Sequence, residues 1–251
     1  MNNIHQQVRK KYNQHRKEIL LGYLLISIFE ILDSVMPTKS GTQSHIGLNV
    51  IMIILAIIVT MLAGAFILET LNLVRHNEFT VKGMFNHFQE NWGRLFTVNL
   101  FLGLVGMGSF FLATLIGGLF IPKNDYQSLL FAASIVAVIA VLIMVILYAY
   151  FYCFAFYYID DEPFNGPITN LKLSRKDLKT HRIELFKLDL TYLIVWAPFI
   201  LLNILAIVMR NETFITISKV LSFLASFWVF PKLIIVRSLF YDRIVYGRVH
   251  E

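Results

Sequence analysis

From Tyr126 to Ile159 the chain carries no Asp, Glu, Lys or Arg, a run of 34 positions. As a helix this run is about 51 Å long at about 1.5 Å per residue, against a hydrocarbon core of about 30 Å. A lone strand of the same composition would leave its backbone groups unpaired in lipid. The run therefore predicts a membrane helix that tilts or projects beyond the core at one end. Residues 148–158 read Tyr-Ala-Tyr-Phe-Tyr-Cys-Phe-Ala-Phe-Tyr-Tyr, and Asp160, Asp161 and Glu162 follow. Tyrosine rings favour the headgroup level, where ring meets lipid and hydroxyl meets water. Tyr148, Tyr150, Tyr152, Tyr157 and Tyr158 are thus expected at an interface, with the acids just outside it. Ala149 and Cys153 are four apart and would let a neighbouring helix approach on that face.

The same signal recurs along the chain. Of 251 residues 57% are hydrophobic and 15% charged, with a mean hydropathy of +0.65. A soluble domain carries about 25% charged residues. The charges gather in short blocks between six apolar segments, about Ile19–Met36, Leu48–Leu68, Leu95–Ile121, Ser128–Tyr158, Leu185–Val208 and Phe214–Phe240. The predicted fold is an all-α polytopic membrane helix bundle of six transmembrane helices, a single integral membrane domain over residues 1–251. The first segment has the basic flank of a signal peptide, but its exit, Met36-Pro37-Thr38-Lys39, lacks a small-residue cleavage site.

Lysine and arginine set the orientation. Arg9, Lys10, Lys11, Arg16 and Lys17 precede the first span; Arg75, Lys82 and Arg94 lie between the second and third. Lys172, Arg175, Lys176, Lys179, Arg182 and Lys187 lie around the fourth connection, and Arg237, Arg243 and Arg248 at the end. Those seventeen face only four on the other side, Lys39, Lys123, Arg210 and Lys219. The bias predicts a multi-pass protein of the cell (cytoplasmic) membrane with N- and C-termini in the cytoplasm. The net charge of +6 then reads as orientation signal and attraction for anionic lipid headgroups. No nucleic-acid-binding motif accompanies it, so nucleic acid is not an expected partner.

The two long inner connections and the N-terminus have amphipathic spacing and predict interfacial helices on the cytoplasmic side. Val81, Met84, Phe85, Phe88 and Trp92 form one stripe; Ile168, Leu171 and Leu178 form another; Ile4, Val8 and Tyr12 form a third. Similar segments, His15-Arg16-Lys17-Glu18-Ile19-Leu20 and His181-Arg182-Ile183-Glu184-Leu185-Phe186, lead into the first and fifth spans, with Asn91-Trp92-Gly93-Arg94-Leu95-Phe96 a looser copy. The order suggests three repeats of interfacial helix plus hairpin, over 1–68, 80–158 and 168–240.

Ionisable residues inside apolar segments are the best functional pointers in such a chain. Asp189 and Lys232 lie 22 residues before and 21 after a turn centred near Asn211, which places them at nearly equal depth in an antiparallel pair. They are positioned to pair or share a polar network. The plainer reading has Lys232 snorkel to the cytoplasmic headgroups. Glu30 and Asp33 lie deeper, three residues apart on nearly one face. Either they line a proton or cation site, or they sit in an outward-open vestibule with no transport role. Cys153 is the only cysteine, which rules out an intrachain disulfide and a thiol-based metal site. The seven histidines have no metal spacing, and no nucleophile–base set is visible. No catalytic residue, metal or cofactor is expected.

One family resemblance is carried by Ser174, Leu178-Lys179-Thr180 and the run Phe186-Lys187-Leu188-Asp189-Leu190-Thr191-Tyr192-Leu193-Ile194-Val195-Trp196, followed by Pro231-Lys232 and Phe240-Tyr241. Mainly over residues 168–241, this pattern resembles the bacterial domain-of-unknown-function family 975. Thr180 stands where the family has Gly, and Lys232 where it has Tyr. The resemblance implies a multi-helix bacterial membrane protein and no particular activity. The expected function is non-enzymatic: an envelope protein that organises lipids or a partner protein in the membrane. The alternative is a small transporter or lipid-handling protein using Glu30 and Asp33.

Overall fold

The computed structural model describes residues 2–35, 46–120, 146–209 and 212–247, with residue 143. No strand occurs among them. Helix α1 spans Asn2–Gln14, α2 Arg16–Val35, α3 Ile46–His76 and α4 Val81–Phe120. A π-helical turn over Tyr148–Tyr152 and a 3-10 turn over Cys153–Ala155 lead into the short α5, Tyr157–Asp161. Helices α6 (Pro167–Leu178), α7 (Arg182–Met209) and α8 (Glu212–Tyr246) complete the chain. Among the described residues three helices are long and apolar enough to cross a membrane, through Ile54–His76, Arg182–Asn203 and Thr213–Tyr246. The expected spans Leu185–Val208 and Phe214–Phe240 fall within α7 and α8. Ile19–Met36 falls largely on α2, and most of Ser128–Tyr158 lies outside the described residues.

The chain forms two compact units, residues 1–92 with 183–251, and residues 93–182. In the first unit the polar side chains give the register of the helices. Thr70 Oγ1 is 2.9 Å from Ser238 Oγ, and Arg75 donates to Asp242 over 2.8 Å. Residue numbers rise together, so α3 and α8 run parallel. Across α7 and α8 they move oppositely: Ser218 donates to Asn203 over 2.9 Å, Arg237 to Asp189 over 2.6 Å, and Arg243 to Glu184. That is the antiparallel hairpin expected from the sequence.

Between these helices lies an aromatic core. Tyr23 meets Phe227 edge-on at 5.0 Å, and Phe66 meets Phe79 at 5.4 Å. Gly22 permits this packing, because a Cβ there would lie 3.2 Å from the Phe66 ring. Helix α1 buries Ile4, Val8 and Tyr12, the face its spacing predicts. That face packs on α8, so it is covered by protein.

Helix α4 corrects one expectation. Residues 81–92 are not a separate interfacial helix; they open a helix of 40 residues, about 60 Å at 1.5 Å per residue. Nothing between Asn91 and Leu95 stops a helix. The one weak residue, Gly93, costs only about 1 kcal/mol relative to Ala. Of the expected stripe, Met84 alone is fully buried, and Trp92 is 63% exposed. The start of α4 is set by Thr80, whose Oγ1 accepts the Gly83 N–H at 2.9 Å, the ordinary role of a threonine at a helix N-terminus.

In the second unit the aromatic run is not one projecting helix. The π and 3-10 turns interrupt the backbone pairing, and α6 repairs it. The Ser174 hydroxyl accepts the Phe154 N–H at 3.1 Å and donates to the Phe151 carbonyl at 3.0 Å. Arg182 donates to the Tyr150 carbonyl at 3.1 Å and lies 3.8 Å over the Phe151 ring. Tyr157 and Tyr158 are buried, and the Tyr158 hydroxyl donates to Asp177. These two rings therefore belong to a protein core, whereas Tyr148, Tyr150 and Tyr152 are part-exposed. The acids sit at the end of α5, where Arg94 donates to the carbonyls of Ile159 and, at 2.8 Å, of Glu162. Helix α6 starts with Pro167 in its first turn, a position where the missing N–H is harmless. Its buried face is Asn170, Leu171, Ser174 and Leu178, while Ile168 is 50% exposed. The expected face of Ile168, Leu171 and Leu178 is thus rotated, because Ser174 supplies bonds that the broken backbone needs.

Candidate functional site

The polar groups of the first unit gather where α3, α7 and α8 run together. Asp189 is fully buried and ion-paired with Arg237 at 2.6 Å. Asp242 is fully buried and ion-paired with Arg75 at 2.8 Å. Glu184 holds Arg243 at a more exposed position. Arg75 also lies 5.0 Å from the Tyr246 ring centre, and Arg243 5.4 Å from that of Phe240. Helix α8 thus supplies an arginine to α7, an acid to α3, and a second arginine to α7, within two turns. An arginine keeps its charge at any physiological pH. Such pairs act as fixed clamps: breaking one strands its partner in a poorly solvated place.

Of the two readings weighed for Asp189 and Lys232, the pair is not formed. Arg237 takes its place, five residues further along α8 and about 140° around it at about 100° per residue. Lys232 points instead at rings. Its ammonium lies 3.6 Å from the Trp228 ring centre and 4.8 Å from that of Tyr12. Trp228 is one turn back on α8, and Tyr12 comes from α1, so the lysine ties α1 to α8 by cation–π attraction. At the other end of α1, Tyr192 of α7 lies 3.3 Å from His5 Nδ1. Glu30 and Asp33 lie on α2, but their side chains fall outside the described residues.

A second polar cluster was not singled out from the sequence. Glu69 is buried on α3, and its Oε1 accepts the Thr80 N–H at 2.8 Å. Its Oε2 lies 3.4 Å from His87 Nε2 on α4. Glu18 of α2 accepts the next N–H, that of Val81, at 3.4 Å. Two carboxylates therefore meet the positive end of the α4 dipole. Gly83 completes the fit: a Cβ there would fall 2.4 Å from Glu69 Oε1. The available signal was a lone acid closing the apolar segment Leu48–Leu68, with a Thr-x-x-Gly helix start eleven residues later. Arg237 was missed because it was counted among the orienting charges at the chain's end.

Together the clamps, the ringed lysine and the capped α4 hold helices in place. They gather no nucleophile, base and electrophile among the described residues. No curated protein and no solved structure matches the chain. The family model described as "Protein of unknown function (DUF975)" matches residues 1–247, well beyond the second-half motifs that first carried the resemblance, and the chain belongs to that family.

Proposed function

We propose that the chain is a multi-pass protein of the bacterial cytoplasmic membrane, both termini inside, that organises anionic lipids or a membrane partner through its basic inner face and catalyses no reaction. The observation that carries this reading is the disposition of α1. Its apolar face of Ile4, Val8 and Tyr12 is consumed by packing on α8, while Arg9 and Lys10 on α1, and Arg16 and Lys17 at the start of α2, are exposed. A helix whose apolar stripe is already covered meets a membrane through charge, not insertion. Each exposed Lys or Arg contributes about 1 kcal/mol toward an anionic surface. The inter-helix clamps support a rigid framework for that face.

The test is to extract the chain from native membranes in polymer-bounded discs and compare co-extracted lipid with the bulk membrane. Enrichment of anionic over zwitterionic lipid, reduced when Arg9, Lys10, Arg16 and Lys17 are all changed to Gln, is the expected outcome. Bulk composition around the wild-type chain would count against the reading.

A further inference from the structure

One face of α1 is left over by this packing. Gln7, Lys10, Lys11 and Gln14 recur at i, i+3, i+4 and i+7, so they form a single stripe beside the buried one. With Asn77 they line a cleft of about 260 Å³ against the end of α3. Asn77 stands there in a left-handed conformation, φ 59°, that ends α3 and turns its side chain toward α1.

Lys11 already has a structural task. It donates to the Leu73 carbonyl at 3.1 Å and to Asn77 Oδ1 at 3.4 Å, which offsets the negative end of the α3 dipole. Burial, and after it the neighbouring Lys10, pushes the Lys11 ammonium below its usual range. Lys10 is exposed and has no protein partner among the described residues. The cleft therefore holds two adjacent ammonium groups and the amides of Gln7 and Gln14, with one cation spoken for and one available. An anion seated there would relieve the repulsion between the two lysines. The volume lies just below the range of about 300–1,000 Å³ typical for drug-sized ligands, so it suits a small headgroup better than a large metabolite.

We infer that this cleft is a specific binding site for a phosphate-bearing anion, either the headgroup of an anionic phospholipid or a free phosphate, with Lys10 and Lys11 as the charged contacts and Gln7 and Gln14 as amide donors. The inference rests on the reading of the inner face as an anionic-lipid surface and localises it to one site.

Native mass spectrometry of the full chain in detergent, with equal phosphatidylglycerol and phosphatidylcholine, tests it. Lys10→Gln leaves the Lys11 bonds to α3 intact. Lys82→Gln removes the same charge from an exposed position on α4, outside the cleft. The expected result is a phosphatidylglycerol preference that falls about fivefold in Lys10→Gln, the worth of one lysine near an anionic surface, and survives in Lys82→Gln. Displacement of the bound lipid by millimolar inorganic phosphate would assign the site to phosphate in general; resistance would assign it to the lipid headgroup. Equal losses in both variants would overturn the cleft while leaving the basic-surface reading intact. A wild-type chain with neither lipid preference nor phosphate binding would overturn both.

Discussion

Asp189, Gly83 and Ser174 each show how much a single side chain decides. Asp189→Asn removes the buried carboxylate that Arg237 is paired with, and breaking such a pair costs about 3–5 kcal/mol. Lys232→Met removes only cation–π contacts, worth about 0.5–2 kcal/mol. Thermal melts in detergent are therefore expected to rank Asp189→Asn well below Lys232→Met; the reverse order would restore Lys232 as the partner of Asp189. Gly83→Ala should change sign with its neighbour. In an ordinary helix the substitution stabilises by about 1 kcal/mol. Here the new Cβ meets Glu69 Oε1 at 2.4 Å, and that carboxylate is anchored on the Thr80 N–H. Gly83→Ala is expected to lower the melting temperature of the wild type and raise that of Glu69→Ala. Ser174→Ala removes the hydrogen bonds from the Phe154 N–H and to the Phe151 carbonyl, at about 0.5–1.5 kcal/mol each. Cys153, the only cysteine, is buried beside the break, so it reports the damage. Maleimide labelling should be slow in the wild type and fast in Ser174→Ala.

At the scale of elements, periodicity was a good guide to which residues of α1 are buried and a poor guide to what covers them. Ile4, Val8 and Tyr12 announce an apolar face, but an apolar face fits lipid and protein equally well. Which it meets depends on α8, more than two hundred residues away. The hairpin of α7 and α8 was legible because depth can be counted from a turn. Its partner choice was not, since Lys232 and Arg237 differ by rotation about the helix and hydropathy carries no azimuth. The aromatic run misled for a different reason. A π turn leaves backbone groups unpaired, and its stability comes from Ser174, twenty residues downstream of Phe154. The attachment of α1 also has a pH dependence. Burial holds the His5 imidazole below its ordinary pKa of 6.5, so the docked state favours the neutral ring. Docking is then complete above about pH 6.5 and weakens as pH falls through the folded-state value. Spin labels on α1 and α8 should move apart on acidification, and His5→Phe should abolish that response.

The unit of residues 1–92 and 183–251 is held by charges that face one another across helices and by rings packed between them. Those arginine–carboxylate clamps join α3, α7 and α8, of which each is long and apolar enough to cross a membrane. The long apolar segments between the charge blocks made the helical class readable before any contact was known. The parallel packing of α3 on α8, which sets Arg75 against Asp242 and Thr70 against Ser238, left no trace in hydropathy. The central claim is an even number of crossings with both ends of the chain on the basic, inner side. Paired reporter fusions at residues 1 and 251, one active only in the cytoplasm and one only outside it, test it most directly. Both termini are expected to give the cytoplasmic signal; signals from opposite faces of the membrane would contradict the account.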